Sequence, residues 1–167
     1  MTKSEPRGCL FAILDLLGFG QDTSTSSSSV DTLPYLRKDY LLTKAERKFF
    51  DVLHAVASRQ CHLFAMVRLA DLIYIPKGTE KRQSHFNQIQ AKHIDFVLCN
   101  KTELKPILAI ELDDSSHQRA DRKKRDEFLN KALEQAGLPL LRIPVRSGYD
   151  PQEIKQKIQA KLTRNSE

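Results

Sequence analysis

The chain has 167 residues, of which 40% are hydrophobic and 29% are charged, a composition that fits one globular domain and excludes a disordered or fibrous polymer. The charge is uneven, because residues 33–167 hold 25 of the 27 Lys and Arg residues but 17 of the 21 Asp and Glu residues, a net charge of +8. A domain this basic favours a polyanionic partner such as nucleic acid, although the same charge would also serve solubility.

The first 32 residues differ in composition from the rest. An apolar stretch, Gly8–Gly20, is interrupted by Asp15 and is shorter than the about 20 apolar residues that cross a bilayer. The run Ser24–Ser29 that follows is typical of a linker. We therefore predict a flexible N-terminal segment over residues 1–32, a folded domain over residues 33–167 and no integral membrane span. The apolar stretch also fits an amphipathic anchor or a segment that docks on a partner.

The three cysteines, Cys9, Cys61 and Cys99, are widely spaced. They form neither a C-x-x-C pair nor a zinc-ligand pattern. Unpaired, reduced thiols of this kind predict a cytoplasmic protein, and the sequence leaves its oligomeric state open.

Regular apolar periodicity begins near residue 41. The segment LLTKAERKFFDVLHAVA has apolar residues at helical spacing, and Thr43 followed by Glu46 forms a capping-box pattern, so we predict a first helix. The segment HLFAMVRLADLIYIP predicts a strand followed by a short element, and SHFNQIQA predicts a short helix.

The second half of the chain has the clearest element pattern. HIDFVLCN and LKPILAIELD predict two adjacent antiparallel strands joined by a short polar turn. DRKKRDEFLNKALEQAG predicts a helix that ends at Gly137, LPLLRIPV a buried strand, and YDPQEIKQKIQAKLT a helix with Asp150 as its cap and Pro151 at its first position. We predict an α/β fold in which helices flank a small mixed sheet.

Carboxylates lie at the matching ends of the two paired strands. Side chains alternate along a strand, so Glu111 and Asp113 share one face, and the neighbouring strand contributes Asp95. Three converging carboxylates repel one another unless a cation lies between them, and Mg²⁺ or Mn²⁺ binds such oxygen ligands. The sequence therefore predicts a metal site, with a solvated strand end as the alternative.

The combination HIDFVLCN, LKPILAIELDDSSHQRADRKKRDEFL and AGLPLLRIPV resembles the PD-(D/E)XK nuclease superfamily. The similarity is to its restriction-endonuclease-like branch near the very-short-patch-repair endonucleases, and within it to a bacterial family of domains of unknown function that carries an IELDDSSH signature. It covers Leu41 to Leu162. The resemblance implies a restriction-endonuclease-like three-layer sandwich and Mg²⁺- or Mn²⁺-dependent hydrolysis of DNA.

The resemblance also implies roles for individual residues. Asp95 matches the first motif aspartate and Glu111 matches the (D/E) position, while Asp113 stands where the motif has its lysine. His117 matches a downstream histidine of the very-short-patch-like branch. With the metal ligands Asp95, Glu111 and Asp113, it makes up the predicted catalytic set, in which it would position water or transfer a proton.

Further residues are auxiliary candidates. Glu46 completes the capping box, and in some nucleases of this fold the first helix also supplies an acidic residue to the site. Arg142 is a candidate partner for one of the carboxylates, or a solvent-exposed strand residue, and Lys92 could supply the missing positive charge. The predicted phosphate-binding and DNA-binding residues are Arg122, Lys123, Lys124 and Arg125. Such a basic run is otherwise solvated surface, and Arg125 and Asp126 could also pair with the sheet.

Three functions are consistent with these patterns. The first is a metal-dependent DNA phosphodiesterase. The second is a nuclease-fold domain that binds DNA without turnover, which the replacement of the motif lysine by Asp113 allows. The third is a protein-interaction domain in which the acidic cluster is incidental.

Overall fold

The computed structural model describes residues 33–113 and 120–164, and for residues 120–123 it describes the backbone alone. The predicted N-terminal segment over residues 1–32 lies outside the described residues, as does His117. The chain divides into two units, Met1–Arg37 and Lys38–Glu167. The helices and strands described below all belong to the second unit.

Four strands of the described chain form one mixed sheet in the order β1-β2-β3-β4. Strands β1, β2 and β3 are antiparallel neighbours, and β4 runs parallel to β3. The strands are β1 (Cys61–Arg68), β2 (His93–Asn100), β3 (Pro106–Asp113) and β4 (Leu140–Pro144). The helices are α1 (Lys44–Ala57), α2 (Leu69–Leu72), α3 (Arg82–Ile89), α4 (Ala120–Gln135) and α5 (Pro151–Thr163). A mixed α/β fold is thus confirmed.

Helices α1 and α5 cover one face of the sheet. The capping box at the start of α1 is present, because the Thr43 N–H donates to Glu46 Oε2 (2.7 Å) and the Glu46 N–H donates to Thr43 Oγ1 (3.3 Å). Helix α5 begins after Asp150, whose Oδ1 accepts from the Gln152 N–H (3.0 Å). The buried residues of this layer are Phe49, Leu53, Ala57, Phe96, Leu98, Leu108, Ile110, Ile143, Ile154 and Ile158.

Helices α2, α3 and α4 cover the opposite face. The second cluster of buried residues comprises Leu69, Ile89, Ile94, Val97, Cys99, Ala109, Leu129, Leu133 and Leu138. The chain leaves α4 through Gly137, which has a φ of +70°, a left-handed conformation that favours glycine at a helix end. The sheet therefore lies between two helical layers, each closed by its own apolar cluster.

The structure fixes boundaries that the sequence pattern leaves open. The apolar segment HLFAMVRLADLIYIP divides at Arg68, where β1 ends and the single turn of α2 begins. Across the described ranges, no helix has both the length and the apolar composition needed to cross a membrane.

Candidate functional site

The candidate site lies at the end of the sheet where β2 begins and β3 ends. Because the two strands are antiparallel, Asp95, near the start of β2, is next to Glu111, near the end of β3. The last main-chain pair at this end is Phe96 with Ile110. One step further, the Leu112 N–H donates to Asp95 Oδ2 (2.8 Å), so a carboxylate takes the place of a main-chain acceptor where the pairing ends.

Glu111 is the buried member of the pair, with 8% of its surface exposed. Burial, with a further contribution from the nearby charge of Asp95, raises the pKa of its carboxyl to about 7 against the opposing effects of Arg142, a hydrogen bond from the Asp95 backbone and Arg125. Its Oε1 atom is buried and has no hydrogen-bond partner among the described residues. Leaving a buried oxygen without a partner lowers stability, so the site is better suited to a state in which Glu111 Oε1 carries a proton or contacts a cation.

Asp95 is half-buried, and its ionised form is disfavoured in a similar way. Burial raises the pKa of its carboxyl, and the charges of Glu46 and Asp113 act in the same direction. The hydrogen bond from the Leu112 N–H and the positive charge of Arg125 oppose this rise. Glu46 therefore has two roles in the structure, because its side chain closes the capping box of α1 and its charge reaches Asp95.

The strand on the other side of Asp95 is irregular. In the pairing of β1 with β2, Ala65 faces Phe96 and Val67 faces Ile94, and the intervening Met66 has a φ of 54°. A left-handed conformation is uncommon for a residue other than glycine, and irregularities of this kind are found preferentially beside functional sites. The irregularity lies at the position opposite Asp95.

Asp113 and Arg142 form the third part of the site. Arg142, on β4, is the register partner of Glu111 in the parallel pairing with β3. Its Nη1 donates to Asp113 Oδ1 (2.6 Å), its Nη2 to Asp126 Oδ1 (3.4 Å) and its Nε to Asn130 Oδ1 (3.2 Å). Asp113 thus holds an arginine of the neighbouring strand, and Asp126 connects α4 to the same group.

The predicted basic residues are only partly described. Lys124 and Arg125 lie exposed on the first turns of α4, and the Arg125 charge is close enough to lower the pKa of both Asp95 and Glu111. The side chains of Arg122 and Lys123, like the whole of His117, lie outside the description. Lys92 is directed elsewhere, because its Nζ donates to the Gln88 carbonyl (2.7 Å) and lies 5.1 Å from the centre of the Phe128 ring.

The oxygen atoms of Asp95 and Glu111 suit a hard divalent cation. The unpartnered Oε1 of Glu111 is an observation in favour of such a ligand, since carboxylate oxygens are the groups that Mg²⁺ and Mn²⁺ prefer. Within the described ranges, no group of three or more His, Cys, Asp or Glu residues is arranged to hold a metal ion. Asp95 and Glu111 are therefore the described residues that would hold it, with Asp113 engaged by Arg142.

Sequence reasoning missed two features of this site. Asn130 lies one helical turn after Asp126 on α4, and that i, i+4 spacing was the available signal that both face the same group. The left-handed conformation of Met66 had no signal, because methionine has no preference for it.

The raised pKa of Glu111 predicts a specific pH dependence of stability. Between the ordinary value of 4.5 and about 7, the native state holds a proton that the unfolded chain has lost, so stability falls as pH rises through this window. The full loss above pH 7 is on the order of 3 kcal/mol. We expect Glu111→Gln to raise the melting temperature in metal-free buffer at pH 8 by about 5–10 °C, with a much smaller effect at pH 5.

The matched control for this measurement is Glu127→Gln, which removes an exposed carboxylate from α4. It should leave the melting temperature nearly unchanged at both pH values. Equal effects of the two substitutions, or a Glu111→Gln variant that is less stable at pH 8, would contradict a buried carboxylate that is costly to ionise.

Comparisons with known proteins identify a family. No curated protein and no solved structure matches the chain. Residues 38–162 match the family model described as a protein of unknown function (DUF2726), and this range contains every described residue of the site. The chain belongs to the DUF2726 family.

Proposed function

We propose that the domain is a metal-dependent nuclease of the PD-(D/E)XK type that hydrolyses phosphodiester bonds of DNA. The observation that carries this proposal is the adjacent pair of Asp95 and Glu111, in which a buried Glu111 oxygen has no partner among the described residues. Such a pair does not stabilise the folded chain, and buried carboxylates with a shifted pKa occur preferentially at functional sites.

Asp95 and Glu111 would hold a divalent cation at the end of the sheet. A bound Mg²⁺ or Mn²⁺ would supply stabilisation of the charge on a phosphoryl oxygen and a more acidic water molecule. The protein's own contribution is to fix the two carboxylates: the Leu112 N–H holds Asp95 in place, and the surrounding core limits the movement of Glu111.

A nucleic acid is the substrate that fits the surrounding charge. Residues 33–167 have a net charge of +8, and Lys124 and Arg125 are exposed on the helix next to the carboxylates. Basic side chains at the start of α4 would contact the phosphates on either side of the bond to be cut, which positions a strand without reading its sequence.

The arrangement of elements supports the same proposal. The antiparallel strands β2 and β3 meet at an acidic cluster, and helix α4 then leads to β4, which runs parallel to β3. The sheet lies between two helical layers. This order of elements is compatible with the restriction-endonuclease-like sandwich that the resemblance implies, and in that resemblance Asp95 and Glu111 match the motif positions.

A second function, DNA binding or protein interaction without turnover, is favoured by one observation. Asp113 stands where the resemblance has a lysine, and it binds Arg142. A domain that has kept the fold and the basic surface but lost cleavage would still bind DNA. Measurements of cleavage and of binding on the same protein distinguish the two functions.

We expect the protein to nick supercoiled plasmid DNA in Mg²⁺ or Mn²⁺ and to be inactive in EDTA. Asp95→Asn and Glu111→Gln should each slow nicking by about 10²–10³-fold, because each removes a carboxylate that holds the cation and so several kcal/mol of transition-state stabilisation. Glu127→Gln should retain the wild-type rate. A wild type that binds DNA but never nicks it in either metal would favour the second function.

We also expect the protein to bind duplex DNA with a steep dependence on salt, measured by fluorescence anisotropy in EDTA. Lys124→Ala should weaken binding on every sequence tested and reduce the slope of log K against log [salt] by about 1, as for one lost phosphate contact. Lys101→Ala is the matched control, because Lys101 is exposed in the turn at the opposite end of β2. Affinity independent of salt, or equal effects of the two substitutions, would count against a phosphate-binding surface on α4.

A further inference from the structure

Arg142 is the best-fixed cation among the described residues near the carboxylates. Its Nε, Nη1 and Nη2 atoms each donate to a different side chain, on β3 and on α4. A guanidinium has five N–H groups in one plane, so three separate partners determine both its position and its orientation. The side chain is 23% exposed, which places the charge near the surface of the site.

The partners of Arg142 explain why an aspartate occupies position 113. Glu111 and Asp113 are two residues apart on β3, and Arg142 is the register partner of Glu111 on the adjacent strand. An aspartate at position 113 directs the guanidinium towards β3 through the 2.6 Å contact. The positive charge beside Glu111 therefore comes from β4, and the carboxylate on β3 holds it there.

We propose that Arg142 is the fixed positive charge of the phosphodiesterase site and that Asp113 is a positioning residue for it. Asp113 is then not a metal ligand, and the sequence Glu111-Leu112-Asp113 works as one unit with Arg142. The proposal rests on the nuclease function proposed above. It differs from the sequence prediction, in which Asp95, Glu111 and Asp113 all bind the metal.

The chemistry gives such a charge a use. In phosphodiester hydrolysis a water oxygen forms a bond to phosphorus, the bond from phosphorus to one strand oxygen breaks, the water loses a proton and the leaving oxygen gains one. Negative charge on the phosphoryl group and the leaving oxygen increases in the transition state. A guanidinium already held in place stabilises that charge without reorganising during the reaction.

The test is single-turnover cleavage of plasmid DNA at saturating protein and metal, below the lowest melting temperature of the variants. Arg142→Gln should slow cleavage by about 10²-fold, as for the loss of one preorganised charge, and Asp113→Asn by less. The double variant Asp113→Lys with Arg142→Gln moves the positive charge from β4 to β3. It should recover cleavage to within about tenfold of wild type, which loss of a structural contact or of a metal ligand at position 113 does not predict.

Two further variants complete the test. Arg142→Lys keeps the positive charge but lacks the planar group of N–H donors, and it should cleave faster than Arg142→Gln. This comparison holds even if the double variant does not fold. Arg146→Gln is the matched control, because Arg146 is an arginine that pairs with Glu153 of α5 (3.0 Å) and not with Asp113 or Asp126, and it should cleave like wild type.

The outcomes separate this inference from the proposed function. A wild type that does not cleave overturns both. If wild type cleaves and Arg142→Gln cleaves equally well, the inference alone is overturned. The same holds if wild type cleaves but a folded double variant and Arg142→Lys are both as slow as Arg142→Gln. If Asp113→Asn slows cleavage more than Arg142→Gln does, Asp113 would be a metal ligand and not a positioning residue.

Discussion

The burial of the Glu111 carboxylate beside Asp95 is the constraint on which the rest of the site depends. Removing a carboxylate from water and placing a second one next to it is unfavourable, and burial and the Asp95 charge together raise the Glu111 pKa to about 7. The surrounding groups reduce this cost in different ways. The Leu112 N–H donates to Asp95, the Arg142 guanidinium lies on the strand next to Glu111, and Arg125 adds positive charge from α4.

The fold can tolerate the unfavourable burial of Glu111 because the two carboxylates lie at one end of a well-packed sheet. Each face of the sheet is closed by its own apolar cluster, and the main-chain pairing of β2 with β3 ends at Phe96 and Ile110, just before the carboxylates begin. The charged groups therefore gather where main-chain pairing stops and side chains can reach an incoming ligand. A divalent cation bound by Asp95 and Glu111 would offset the repulsion between them, so the feature that destabilises the metal-free domain is also the one suited to the proposed function.

Local signals in the sequence predicted much of the fold. Thr43 with Glu46, and Asp150 with Pro151, act within four residues of each other, so the starts of α1 and α5 were readable directly. The paired strands HIDFVLCN and LKPILAIELD were joined by a short turn, and antiparallel pairing then brought Asp95 next to Glu111. The sequence pattern offers Arg142 as a candidate partner of a carboxylate, which the structure confirms, but it does not predict that the partner is Asp113. Asp113 is 29 residues away along the chain, and side-chain alternation gives only the face of a strand. The predicted metal set therefore included Asp113, whose contact with Arg142 depends on the position of β4.

The most direct test of a buried, metal-binding Glu111 is the titration of its side-chain carboxyl by carbon NMR, in wild type and in Asp95→Asn, without metal and then with Mg²⁺. We predict that Glu111 titrates near pH 7 in metal-free wild type, that its pKa is lower in Asp95→Asn because a neighbouring charge is gone, and that saturating Mg²⁺ lowers it strongly in wild type. A Glu111 that titrates near its ordinary value of 4.5 without metal, and does not respond to Mg²⁺, would contradict this prediction.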